Sequence, residues 1–337
     1  MSKIQANLEV LPRGVRVVLL AGLFALAAFP FFGGEFYIQL VTTMMILAIF
    51  AMSLDLLLGV TGMVSLGHAA YFGLAGYALA YITPQNEAAS LWWTLPAAVL
   101  ASALAALVVG FFVVRTRGIY FIMVTLAFAQ MMYYLFFDSK TMGGSDGLYV
   151  NFRPDTSVFG VRLLDLNNHV VLYYFTLAFV VAVYFFLRRL LQSAFGRALA
   201  GIRVNEHRMR AMGYGTFSYK LSAFTLAGAL AGLAGYLWGT HTGFINPELL
   251  GFHMSAHAIM MVILGGMGNF AGAIAGAFAF EWLVHTFKDL PAIGAFRAGK
   301  HWQLWMGIFI VLLITFAPRG LLGAAARAMR RKEPGHE

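Results

Sequence analysis

The sequence predicts an all-α fold: a polytopic transmembrane helical bundle of about ten passes, including short broken helices, with both termini cytoplasmic. The 337 residues are 61% hydrophobic and 11% charged, whereas soluble domains are about 25% charged. There is no cysteine, which excludes a disulfide framework, a thiolate metal site and a cysteine nucleophile. We therefore interpret 1–337 as one transmembrane domain rather than as a soluble enzyme.

The predicted spans follow from apolar stretches, since a helix needs roughly 20 apolar residues to cross a bilayer. The clear candidates, in chain order, are 17–32, 36–60, 92–114, 119–137, 169–187, 219–240 and 302–318. The first could instead be a signal peptide, but its length and the lack of a small-x-small cleavage site favour a retained span. Two further stretches, 62–82 and 255–287, are apolar but rich in glycine.

Lysine and arginine placement predicts the orientation. They concentrate before 17, in 115–117, in 188–220 and after 318, and the positive-inside rule makes such stretches cytoplasmic. This assigns a cytoplasmic N-terminus, an outer loop, a cytoplasmic loop and a cytoplasmic tail, with the boundaries 1–16, 138–168, 188–220 and 319–337.

The stretch 255–287 must contain a break. As one pass it would place the basic tail outside, whereas two short passes broken at Gly265-Gly266-Met267-Gly268 place the tail inside. Broken helices are tolerated in a membrane only where protein or a water-filled cavity covers the backbone.

A second irregular region lies at 59–77, where five glycines accompany polar residues. Gly62-Met63 is echoed by Gly266-Met267, and a pair of broken segments can indicate a transport pathway. Asp55 lies in the preceding span, and an intramembrane acid is functional by default, although a capping role is equally compatible. The hypothesised pathway residues are Asp55, Thr61, Gly62, Ser65, His68, Gly265, Gly266 and Asn269.

Other motifs are weak. GAFRAGKH at 294–301 has the spacing of a phosphate loop, but His301 replaces the magnesium-binding hydroxyl and no buried strand precedes it. His253 and His257 lack an evident third metal ligand. We therefore predict no catalytic residue and no metal site. Repeated GxxxG spacings favour close helix packing, with a subunit interface as the alternative; they involve Gly228, Gly232, Gly235, Gly239, Gly268, Gly272 and Gly276.

The cytoplasmic segment 196–217 has an amphipathic pattern. Ala198, Ile202, Met209 and Met212 mark the apolar face, and arginines mark the polar face. This pattern is typical of a helix lying on the membrane surface, or of a docking helix for a cytoplasmic partner.

Three blocks of sequence resemble a known family. SLDLLLGVTGMVSLGHAAYFGLAGY at 53–77, the segment 196–239 and MVILGGMGNFAGAIAGA at 261–277 are similar to the permease subunits of branched-chain amino acid ABC transporters. GGSDGL at 143–148 is similar to the LivM-like member. Asp55 stands where asparagine is often found in the family.

The resemblance implies a bacterial inner-membrane (plasma-membrane) subunit, with partners and a role for 188–220, below called the coupling loop. The implied partners are a related LivH-like permease forming a heterodimer, two cytoplasmic ATPase subunits and an extracytoplasmic substrate-binding protein, with no nucleic acid. The chain itself would bind no cofactor, because ATP and magnesium belong to the ATPases. The residues implied to dock into the ATPase are Arg203, Asn205, Glu206, Arg208 and Gly213, although the family is usually more acidic here.

The resulting expectation is a transport subunit for branched-chain or related hydrophobic amino acids. The alternatives are a urea or short-amide ABC importer, whose ligand a binding protein would largely decide, and a proton-coupled secondary transporter that works through Asp55. An integral membrane enzyme is disfavoured, since no acid, base or metal cluster converges.

Overall fold

The computed structural model describes residues 13–84, 86–158, 161–162, 164–289, 292–293, 296–316, 320–321 and 323. The start of the predicted cytoplasmic N-terminus and almost all of the tail lie outside the described residues. Within them the α-helices, in chain order, are α1 Arg13–Ala28, α2 Glu35–Asp55, α3 Ala69–Ile82, α4 Leu91–Val113, α5 Ile119–Phe137, α6 His169–Gln192, α7 Ala194–Val204, α8 Glu206–Ala211, α9 Thr216–Thr242, α10 Phe252–Gly265, α11 Phe270–Lys288 and α12 Trp302–Phe316.

The fold is the predicted polytopic helical bundle. Among the described residues, 7 helices are long and apolar enough to cross a membrane, and shorter apolar helices cover Leu20–Phe31, Ala69–Ile82 and Phe252–Gly265. Each overlaps a predicted pass, and the largest difference is at Ala69–Ile82, which begins well after the start of the predicted stretch 62–82. The predicted break in 255–287 is confirmed, because α10 ends at Gly265 and α11 begins at Phe270.

In the described part of the chain, the strands form three antiparallel pairs, and each strand is two residues long. β1 (Leu148–Tyr149) pairs with β4 (Phe244–Ile245) and so ties the predicted outer loop to the end of α9. The other pairs are β2 (Ser157–Val158) with β3 (Val161–Arg162), and β5 (Ala292–Ile293) with β6 (Phe296–Arg297).

Helix α2 is the centre of the bundle. Its residues from Met44 onward are buried, and the burial continues through the π-helical turn Leu56–Thr61 that extends it. Helices α6, α9 and α11 pack around α2. An amphipathic pattern is absent from α2 because protein covers nearly all of its circumference.

Glycines let the helices around α2 approach closely. A methyl group on Gly228 would overlap the Ala106 side chain of α4, and one on Gly235 would overlap the Phe72 carbonyl of α3. These contacts confirm the helix-packing interpretation of the GxxxG spacing. In lipid such close backbone approach supplies the van der Waals contact that drives helix association.

The loops that the lysine and arginine pattern assigns to the same side of the membrane lie at the same end of the bundle. Arg117, in the α4–α5 turn, lies 3.2 Å from Glu206 of the coupling loop. At the other end Glu35 lies 3.3 Å from His169, which starts α6 after the predicted outer loop. We call the end with Arg117 and Glu206 the inner end.

Candidate functional site

The first irregular segment begins where α2 passes into its π-helical turn. This turn ends at Gly62, whose φ of 75° is left-handed and favours glycine. The Thr61 hydroxyl donates to the Leu57 carbonyl at 2.6 Å, and the same carbonyl accepts the Met63 N–H at 2.9 Å. We call 62–68, which is not α-helical and leads to α3, the first break.

Ser65 and His68 of the first break are fully buried. The His68 Nε2 and Ser53 Oγ atoms are 2.8 Å apart, and the imidazole stacks on Phe50 with ring centroids 5.5 Å apart. The Ser65 Oγ accepts the Gly67 N–H at 3.4 Å. These side chains are therefore bonded inside the bundle in this conformation.

Two further hydroxyl groups accept backbone hydrogen bonds at the first break, and neither was among the predicted site residues. Ser255 of α10 accepts the Ala69 N–H at 2.9 Å, and Thr125 of α5 accepts the Leu66 N–H at 3.3 Å. Both contacts join segments distant in sequence. A lone buried Ser or Thr in an apolar helix carries no signal that identifies its partner.

The second break comprises 266–269, between α10 and α11. Gly266 and Gly268 have φ of 108° and 83°, so this turn requires glycine. Asn269 is the N-cap of α11, and its Oδ1 accepts the Ala271 N–H at 3.1 Å. This bond gives Asn269 a structural role as a helix cap. Gly265 packs directly on α11, because a methyl group on Gly265 would overlap the carbonyl of Gly272.

The two breaks meet at Asp55. This residue is fully buried, and its Oδ1 accepts the Gly268 N–H at 2.8 Å. Gly59, one turn further on, leaves no room for a side chain, because a methyl group there would overlap the backbone of Gly268. The structure thus brings Asp55 together with the second break, whereas His68 of the first break contacts Ser53 and Phe50.

The coupling loop folds as two helices rather than one amphipathic helix. Ser193 caps α7 and Asn205 caps α8, whose Arg208 N–H lies 2.9 Å from the Asn205 Oδ1. Ala198 and Ile202 of the predicted apolar face are buried, and Met212 is 65% exposed. Because Asn205 interrupts the helix, Met212 lies beyond the helix that carries Ala198 and Ile202.

Glu206 faces the bundle rather than a partner. Its carboxylate lies 2.7 Å from Arg210 and 3.2 Å from Lys220, beside the Arg117 contact described above. Its side chain is 14% exposed, and the Thr216 hydroxyl donates to it at 3.1 Å. Partial burial raises the pKa of Glu206, but Lys220, Thr216 and Arg117 outweigh burial and hold that pKa below its ordinary value.

Arg203 also contacts the bundle. Its guanidinium donates to the Gly59 carbonyl, and its aliphatic stem lies against Gly62. Arg208 and Gly213 are exposed, Gly213 in a left-handed conformation with φ of 86°. The predicted coupling residues thus divide into a pair that grips the bundle, Arg203 and Glu206, and others at the surface.

Broken helices that meet inside a membrane bundle, with an amphipathic segment across one end, are features of a transport permease rather than an enzyme. Residues 36–318 match the family described as "Branched-chain amino acid transport system / permease component". This match covers most of the chain, which therefore belongs to that family of permease components. The comparison confirms the resemblance and the expectation of a multi-pass transport subunit.

Curated relatives agree. The chain is 30% identical to the high-affinity branched-chain amino acid transport system permease protein LivM of Salmonella typhimurium, over 91% of this chain and 75% of that protein. It is 29% identical to the corresponding permease protein BraD of Pseudomonas aeruginosa, over 50% and 53%. The autoinducer 2 import system permease protein LsrC of Escherichia coli is 28% identical over 46% and 45%. No solved structure matches the chain significantly.

Permeases of this family are components of ABC importers, so the chain works with ATPase and substrate-binding partners. The family does not favour the urea, proton-coupled or enzymatic alternatives. Asp55, on which the proton-coupled alternative depends, accepts a backbone hydrogen bond at the junction of the two breaks.

Proposed function

We propose that this chain is the membrane-spanning subunit that moves branched-chain or related hydrophobic amino acids across the bacterial inner membrane, driven by ATP hydrolysis in partner subunits. The observation that carries the proposal is the similarity to LivM, which extends over 91% of the chain. The family match supports it over 36–318.

The proposed assembly is a heterodimer with a related LivH-like permease, together with two cytoplasmic ATPase subunits and an extracytoplasmic substrate-binding protein. ATP and magnesium are bound by the ATPases, and this chain contributes no cofactor site. The failed phosphate-loop match at 294–301 supports this division of labour. A permease without its own motor must borrow the free energy of hydrolysis through a contact surface.

The coupling loop offers such a surface at the inner end. Val204, Met212 and Tyr214 are 60%, 65% and 39% exposed, and Arg208 is exposed among them. Large apolar side chains beside a basic one are typical of interface cores. We place this surface against the ATPase, with Asn205 and Gly213 shaping the backbone. Glu206 and Arg203 then hold the surface to the bundle rather than touching the ATPase.

The outer loop, 138–168, is the proposed landing surface for the binding protein. It is braced rather than free, since Arg153 donates to the carbonyls of Leu166 and Asn167 at 2.8 and 3.1 Å. The pairing of β1 with β4 anchors the loop near its start. A braced loop loses less conformational entropy on docking than a free one does.

The pathway hypothesis centres on the two breaks. Of the hypothesised residues, Gly62, Ser65 and His68 lie in the first break, and Thr61 directly precedes it. Gly266 and Asn269 lie in the second break, and Gly265 directly precedes it, with Asp55 between the two. Their close packing supports a closed conformation of the inner end. Alternating access then requires the two breaks to move relative to the rest of the bundle when it changes state.

Ligand-stimulated ATP hydrolysis tests the proposal. The chain is reconstituted in liposomes with the permease, ATPases and binding protein encoded beside it, and leucine, isoleucine, valine and urea are added separately. We expect stimulation by a branched-chain amino acid and none by urea. Stimulation by urea alone would contradict the proposed substrate class. Failure of the ATPases to associate with the chain would contradict the proposed assembly.

The Arg208→Glu variant tests the docking surface in the same preparation. Reversing an exposed charge at an interface mainly slows association and changes its salt dependence. We expect weaker ATPase binding to this variant, whereas the Lys140→Glu variant, in the outer loop, retains the parental affinity. Equal affinity for both variants would remove Arg208 from the interface.

A further inference from the structure

The structure links three parts of the chain at one point of the inner end. Asp55 ends α2, Gly268 lies in the second break, and Arg203 ends the coupling helix α7. The Asp55 carboxylate accepts the Gly268 N–H at 2.8 Å. Arg203 donates to the carbonyl of Gly59 and lies against Gly62, where the first break begins. Both breaks are therefore held by side chains that converge within one turn of helix.

The contacts at this point are interdependent. The charge of Arg203 attracts the Asp55 carboxylate, while its guanidinium satisfies a carbonyl of the π-helical turn. The Asp55 Oδ2 atom accepts no hydrogen bond from the described residues, although it is buried. Because a buried charge without compensation is costly, removing Arg203 would weaken the hold of Asp55 on the second break.

Gly59 makes this arrangement rigid. Its missing side chain allows the backbone of Gly268 to pack directly on the π-helical turn. Helix α7 is packed on the same turn, and its Leu199 is fully buried. The π-helical turn, which leads into the first break, is thus in contact with both the second break and α7, and this suits these elements to move together.

We propose that Asp55 and Arg203 are positioning residues of the transport cycle, which fasten both helix breaks to the coupling loop. A displacement of the coupling loop is then passed to the two breaks as one movement. The proposal rests on the proposed function, since it assumes that an ATPase displaces the coupling loop. It assigns Arg203 to the transmission of movement and not to contact with the ATPase.

The coupling ratio, amino acid molecules taken up per ATP hydrolysed, tests the proposal in proteoliposomes that contain the whole complex. A hydrogen bond to a charged group is worth enough to change an equilibrium by about tenfold or more. We therefore expect Arg203→Ala to lower the ratio by about tenfold while basal hydrolysis persists. Arg203→Lys restores part of the ratio, because a lysine retains the charge and one donor.

The matched control is Arg197→Ala, which removes an arginine from the same helix. Arg197 donates to the Gln192 carbonyl within the loop and contacts neither break. This variant is expected to keep the parental ratio. The Asp55→Asn variant keeps an acceptor for Gly268 but loses the charge attraction, so its effect is smaller. Combined with Arg203→Ala it adds nothing further, since coupled residues are non-additive; additive losses would overturn the proposal.

A distance measurement gives an independent readout that loss of stability alone does not produce. The chain has no cysteine, so spin labels can be attached at Ala194→Cys on α7 and Met267→Cys in the second break, both exposed positions. In the parental complex we expect the distance between the two spin labels to be the same in the nucleotide-free and the vanadate-trapped state. In the Arg203→Ala variant we expect this distance to differ between the two states. A change in the parental complex would overturn the proposal.

The two possible failures are distinguishable. If the parental complex shows no ligand-stimulated hydrolysis, the proposed function fails. If it does, but Arg203→Ala keeps the parental coupling ratio, only the positioning role fails. Where Arg203→Ala does not assemble, Arg203→Lys and Asp55→Asn are tested by the same ratio and distance.

Discussion

At the scale of single residues, Glu206 shows how much the meaning of a charge depends on its partners. In the sequence it is the only acid of a basic segment, and the family resemblance implied that it docks into the ATPase. In the fold, Arg117 of the α4–α5 turn and Lys220 of α9 both meet it. Lys220 is 7% exposed, so the ion pair is nearly buried and its two halves depend on each other.

Glu206→Ala is therefore expected to destabilise the chain by about 3 kcal/mol, because it leaves Lys220 buried without a counter-charge. Thermal unfolding of the purified chain in detergent measures the effect. The double variant Glu206→Ala with Lys220→Met removes both charges and should be the more stable of the two. Equal destabilisation of both variants would show that the pair is not coupled.

Glu206 also makes the stability of the folded chain depend on pH. Because the folded pKa of Glu206 lies below its ordinary value of 4.5, its stabilisation is complete above that value and is lost as the pH falls through the lower, folded pKa. The parental chain should therefore lose stability more steeply on acidification below about pH 4.5 than Glu206→Gln does. Parallel curves for the two chains would exclude a contribution from Glu206.

At the scale of helices and loops, the sequence predicted most helices and the break within 255–287. It did not predict the contacts between the coupling loop and the bundle. The break at Gly265–Gly268 followed from counting passes against the basic tail. The interruption of the coupling loop at Asn205 was missed, although asparagine before Glu206 is a common helix start. The resemblance assigned Arg203 to the ATPase, and its contact with Gly59 was not predicted. That contact spans 144 residues of sequence, and no local pattern encodes such a contact.

Packing of α9 on α3 gives a prediction at this scale. A methyl group at Gly235 would overlap the Phe72 carbonyl, and neither helix backbone can yield without moving its neighbours. Gly235→Ala is therefore expected to cost about 1–3 kcal/mol as overpacking. The control is Gly307→Ala in α12, where the added methyl group meets no atom within 4 Å. Thermal unfolding should show a loss for the first variant only; equal transition temperatures would contradict the packing argument.

At the scale of the whole molecule, the fold supports the charge-based topology without fixing which end faces the cytoplasm. The α4–α5 turn and the coupling loop share one end, joined by Arg117 and Glu206. The two passes between them, α5 and α6, are an even number and so return the chain to the same end. An error in one predicted span would have separated the turn from the loop. Only the excess of lysine and arginine assigns that end to the cytoplasm, and that assignment is open to direct test.

Sidedness is measured by labelling single engineered cysteines with a membrane-impermeant maleimide, and the cysteine-free chain gives a clean background. Tyr149→Cys, in the outer loop, and Met212→Cys, in the coupling loop, replace side chains that are 72% and 65% exposed. Because basic loops are retained on the cytoplasmic side, we expect intact cells to label only the Tyr149→Cys variant. Permeabilised cells should label both variants. The reverse pattern in intact cells would invert the topology and remove the coupling loop from the reach of a cytoplasmic ATPase, so this measurement tests the orientation on which the coupling argument depends.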